Sequence, residues 1–186
     1  AIKKLENMLA VIGYPDNYTF PEITPMSEGG TLFSNILSIK RHKLAEYIRF
    51  YAPTAELVIQ QTWAYERDSA RLNTMMGYSD PEFMYRDLKD AYDKAAASLG
   101  ARMIPCGEAF IRLYRRGIKH HRDTFHASYG LGRYTLALVW YETLLGKSAI
   151  GNALREFDEE ISEDGIRAAQ ECAHEAVDAW KNDWKP

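Results

Sequence analysis

The segment His120-His121-Arg122-Asp123-Thr124-Phe125-His126 gathers the most reactive side chains of the chain. An aspartate and a histidine three residues apart in a turn let the carboxylate accept the imidazole Nδ1–H. That contact fixes the tautomer and leaves Nε2 as a general base. A second chemistry is open to the same residues, because imidazoles and a carboxylate suit zinc. Consecutive histidines diverge in most backbones, however, and nothing else in the chain supplies ligands at a diagnostic spacing. No metal or other cofactor is therefore expected, and on spacing alone the Asp123–His126 pair reads either as an ordinary surface hydrogen bond or as an acid–base pair.

Such a pair needs a scaffold. Glu56-Leu57-Val58-Ile59-Gln60 is a short apolar run after a turn, the pattern of a buried strand. Ala101 to Cys106 is a second, with Cys106 expected within it as a core residue. Between them Ser79-Asp80-Pro81-Glu82 opens a helix with proline near its first position and acids in its first turn. Gly100 closes that helix. A strand–helix–strand of this length predicts a right-handed βαβ unit with adjacent parallel strands over Leu57–Gln60 and Ala101–Pro105.

In open α/β sheets, sites lie beyond the C-terminal strand ends, which is where the 120–126 loop falls. Further helices are expected over Ile2–Ile12, Leu32–Tyr51, Gly132–Leu145 and Ser162–Trp184, with a loop over Tyr14–Gly30. Ser128 reads as a helix cap. Tyr134, Trp140, Tyr141 and Leu144 read as core at helical spacing, and His174 as a helix-surface or interface residue. Trp63 and Tyr65, after a strand end, fit either a substrate groove or the core.

Composition narrows the partners. Hydrophobic residues make up 46% and charged residues 26%, as in ordinary globular domains. A net charge of −3 gives no basic field for nucleic acid or anionic membrane. The basic stretch Arg112–Arg122 is mixed with apolar residues and reads as solvated surface. No apolar run approaches the roughly 18 residues of a membrane span. Cys106 and Cys172 are expected as buried free thiols, which leaves the compartment undecided.

The string Arg122-Asp123-Thr124-Phe125-His126-Ala127-Ser128-Tyr129-Gly130-Leu131-Gly132-Arg133-Tyr134, continuing to Trp140-Tyr141-Glu142-Thr143-Leu144-Leu145-Gly146, resembles the final block of the SGNH (GDSL-type) hydrolase superfamily. More narrowly it resembles a bacterial branch of that superfamily known as a domain of unknown function. Ala52-Pro53-Thr54-Ala55-Glu56 with Gln60-Gln61-Thr62-Trp63-Ala64-Tyr65 resembles the same branch, as does Phe157-Asp158 through Ala173-His174-Glu175-Ala176-Val177. The likeness runs from Leu32 to Val177.

It implies an α/β fold, a flavodoxin-like three-layer α/β/α sandwich, incomplete at its N-terminal side. Residues 1–30 would be an atypical helix and loop, and 31–186 the hydrolase-like part of a single domain. It also implies hydrolysis of esters, including acetyl groups on carbohydrates, through an acyl-enzyme, with His126 as base and Asp123 as its orienter. Trp63, Tyr65 and Gln61 are the expected substrate contacts.

The nucleophile block that should precede Leu32 is not found, and the blocks that donate the oxyanion hole have no clear counterpart. Arg67-Asp68-Ser69 mimics the nucleophile tripeptide with arginine in the glycine's place. The expectation is an ester hydrolase lacking its serine. A non-catalytic module that binds carbohydrate or protein is the alternative. Exposed sheet edges would favour pairing with a second copy.

Overall fold

The structure, a computed structural model, describes residues 42–183, with side chains to residue 181. Residues Leu44–Pro186 form one compact unit. The expected helix at Ile2–Ile12, the loop at Tyr14–Gly30 and the beginning of the Leu32–Tyr51 helix lie outside the described residues. The remainder of that last helix is formed as α1, residues 42–51.

Two parallel strands carry the architecture: β1 (Val58–Gln60) and β2 (Arg102–Ile104), in the register Val58–Arg102, Ile59–Met103 and Gln60–Ile104. The crossover between them is α2 (Pro81–Leu99). It starts where Asp80 Oδ1 accepts the Glu82 amide at 2.9 Å, with Pro81 at the first position, where a missing N–H costs nothing. It ends at Gly100, whose φ of 56° a side-chain-bearing residue rarely adopts. Ala45 of α1, Leu99 and Ala101 form a small core against Leu57 and Ile59. The parallel βαβ unit is thus as the sequence implied.

Cys106 departs from expectation. It opens a helix, α3 (Cys106–Arg115), instead of continuing the strand. Pro105 has no amide to donate to a ladder, so the strand stops at Ile104. Beyond it Cys106, Ala109, Phe110 and Leu113 recur at helical spacing and are all buried. Burial pushes the Cys106 thiol up to about 12 and the Cys172 thiol to about 11. Both cysteines are free.

Helices α4 (Leu131–Leu145) and α5 (Glu163–Asp183) complete the fold. Tyr134, Leu138 and Val139 meet Ala169, Ala173, Ala176 and Val177, and small residues on α5 let the two backbones approach closely. Trp140 and Leu144, expected in the core with Tyr134, are instead 38% and 36% exposed. Apolar residues occur all around α4, so helical spacing alone did not select its buried stripe. The basic stretch is ion-paired surface. Arg112 contacts Glu108 and Glu175, Arg115 contacts Glu82, and Arg116 contacts Glu171 and Glu175, lacing α3 to α2 and α5.

Candidate active site

The 120–130 connection from α3 to α4 is closed on itself. Ser128 N–H donates to the His120 carbonyl at 2.9 Å and Arg122 N–H to that of His126 at 3.0 Å. Ser128 then caps α4, its Oγ accepting the Gly132 amide at 2.8 Å. Gly132 is required here, since a Cβ would lie 2.5 Å from the His120 carbonyl oxygen.

Within this loop Asp123 holds His126 twice. Its Oδ1 accepts the His126 backbone amide at 2.8 Å and its Oδ2 accepts Nδ1–H at 2.7 Å. The imidazole is thereby fixed in both position and tautomer. Chiefly because of the side-chain hydrogen bond from His126, the Asp123 carboxyl is held down at about 2. The His126 ring is half exposed, and no described residue bonds its Nε2. The pair can therefore take a proton from a hydroxyl or a water approaching from outside.

The segment after β1 grips this loop from the other side. Trp63 Nε1–H donates to the Phe125 carbonyl at 2.8 Å. The Glu66 amide donates to the Thr124 carbonyl at 2.8 Å, and Thr124 Oγ1 donates to Ser69 Oγ at 3.1 Å. Tyr65 meets Phe125 edge-on at 5.8 Å, and the Arg71 guanidinium lies 4.0 Å from the Phe125 ring centre. Nothing in sequence spacing announced these contacts beyond the presence of Trp63, Tyr65 and the Arg67-Asp68-Ser69 tripeptide.

The other expected residues take different places. Trp63 and Tyr65 are half-buried, with Trp63 packed 4.8 Å from the Phe110 ring. Gln61 is buried, and its Oε1 accepts the Glu108 amide at 3.0 Å, satisfying an open donor at the start of α3. Gln61 also borders a cavity of about 320 Å³ with Tyr85, Glu108, Arg112 and Trp180. Ser69 is buried at 1% exposure.

His120 and His121 are buried as well. His120 Nδ1 contacts the Ile118 carbonyl at 2.8 Å. The His121 ring lies 4.3 Å from that of His120 and 3.5 Å from Glu66 Oε1. Burial lowers both, and lowers His121 to about 3. They point into the protein and do not converge with Asp123 and His126. The group of potential ligands that does converge among the described residues is Glu142, His174 and Asp178, on α4 and α5.

No curated protein matches this sequence. The chain is similar to a solved structure of a DUF4886 family protein from Bacteroides uniformis, with 29% identity and a TM-score of 0.65. The match covers 78% of this chain and 58% of that one, so the chain spans less than two thirds of its neighbour's length. The model of the same family, a domain of unknown function, matches residues 30–176. By that match, which takes in both strands, the Asp123–His126 loop and most of α5, the chain belongs to the DUF4886 family.

Proposed function

We propose that this chain is the base-bearing part of an SGNH-type ester hydrolase, in which His126 is the general base and Asp123 its orienter. The observation that carries the reading is the double attachment of His126 to Asp123, at 2.7 and 2.8 Å, with the ring half exposed. An imidazole held through Nδ1 with Nε2 outward is the geometry a serine hydroxyl needs in order to lose its proton. In this reading the two strands belong to a larger, flavodoxin-like parallel sheet, and the substrate is a small or carbohydrate ester. The serine comes from a segment outside these 186 residues, in keeping with a neighbour of which the match covers 58%.

A non-catalytic binding module is the second reading, and the placement of two serines is compatible with it as with the first. Ser69 is buried on Thr124 and Ser128 is committed to capping α4, so neither presents its hydroxyl to His126.

A fluorophosphonate probe tests where the nucleophile lies. The isolated chain should resist stoichiometric labelling and should turn over aryl acetates no faster than its His126→Ala variant. Labelling mapped to Ser69 or Ser128 would overturn the assignment.

A further inference from the structure

We propose that Ser69 is a positioning residue for the Asp123–His126 pair, holding Thr124 in the left-handed conformation that lets the two side chains meet. The inference takes its functional meaning from the base assignment above, while its geometry stands apart from it. Thr124 lies between the paired residues at a φ of 70°, and no other non-glycine among the described residues has a positive φ. A β-branched residue rarely holds this region unless its surroundings enforce it. Relaxation to negative φ would swing the Asp123 carboxylate away from the His126 amide and ring.

The enforcement is visible on both sides of Thr124. Its carbonyl accepts the Glu66 amide at 2.8 Å and its hydroxyl donates to Ser69 Oγ at 3.1 Å. Ser69 is in turn fixed through its own backbone, its amide donating to the Glu66 carbonyl at 3.0 Å and its carbonyl accepting the Asn73 amide at 3.2 Å. A single π-helical turn, Arg71–Met75, follows at once and carries the Arg71 guanidinium onto the Phe125 ring. Turns of this kind are rare and recur at functional sites. The serine that mimics a nucleophile thus has a different task, as the fixed acceptor for a strained loop.

Nitrogen-15 NMR of the His126 imidazole in the 186-residue chain tests this, because tautomer populations report the Asp123 contact and not global stability. The wild-type ring should be mainly the Nδ1–H tautomer. Ser69→Ala should lower the Nδ1–H to Nε2–H ratio about fivefold, the worth of one neutral hydrogen bond. Thr124→Val, which keeps the shape and loses the donor, should reproduce that change and carries the test if Ser69→Ala fails to fold. Thr124→Asn in the Ser69→Ala background should restore the ratio, since asparagine accepts the left-handed region.

Ratios within about twofold of wild type in both Ser69→Ala and Thr124→Val, less than half the worth of that hydrogen bond, would overturn the proposal. So would failure of Thr124→Asn to restore. An intact tautomer response in this chain, together with no hydrolase activity in the natural gene product that contains it, would remove the base assignment and leave the Ser69 role standing.

Discussion

The buried Glu142 carboxylate joins two helices and a loop: Oε1 accepts from His174 Nδ1 at 2.8 Å and Oε2 accepts the Ala149 amide at 2.7 Å. Of the two places expected for His174, a helix surface or an interface, it takes the second: it is half-buried between α4 and α5, with Asp178 3.5 Å from its other nitrogen. Glu142→Ala strands a buried amide and removes the tie between α4 and α5. It should destabilise the chain by about 2–3 kcal/mol, read from urea unfolding. Glu142→Gln, which keeps one acceptor, should cost less. Equal stability of the two variants would contradict this role.

His121 should set the acid limit of stability. Its imidazole is held neutral in the fold down to about 3, whereas in the unfolded chain it takes a proton near its ordinary value of 6.5. Between those values the unfolded state binds the extra proton. The contribution is therefore complete above about 6.5 and is lost as pH falls toward 3, at up to roughly 1.4 kcal/mol per pH unit. His121→Phe, with its ring against Phe110, should flatten the dependence of unfolding free energy on pH in that window. An unchanged slope would show that His121 titrates normally.

Trp63→Phe keeps the ring on Phe110 and removes the donor to the Phe125 carbonyl. The expected cost is about 1 kcal/mol, together with faster amide exchange at Thr124–His126 than in the strands. Exchange that rises uniformly over the chain would mean that Trp63 serves the core and not the loop.

Gly132→Ala drives a methyl against the His120 carbonyl, at 2.5 Å, and the Ala127 backbone, at 3.1 Å. Both neighbours are backbone and cannot turn aside, so a loss of about 2–3 kcal/mol is expected in thermal or urea unfolding. A neutral effect would place the start of α4 farther from the loop than described.

The βαβ unit was legible because its signals are local: an Asp-Pro-Glu helix start, a glycine stop and two apolar runs of strand length. The Asp123–His126 contact was legible for the same reason, as was the Ser128 cap. Helix α3 was hidden because Met103-Ile104-Pro105-Cys106 reads as one apolar run, and only the proline divides strand from helix. The exposure of Trp140 and Leu144 was hidden because α4 is apolar on every side. Least legible was the grip of Trp63, Glu66 and Ser69 on residues 124 and 125. Those contacts span more than fifty residues, and their partners are backbone atoms or hydroxyls with no pattern of their own.

The role of His126 as the base of an ester hydrolase is tested by hydrolysis of an aryl acetate by the natural gene product containing these residues. With the wild-type protein turning over the ester, His126→Ala should lower kcat by about 10³-fold or more, since a serine without its base retains only the stabilisation of the oxyanion. Turnover that His126→Ala leaves unchanged, or no turnover by the wild-type protein, would contradict it.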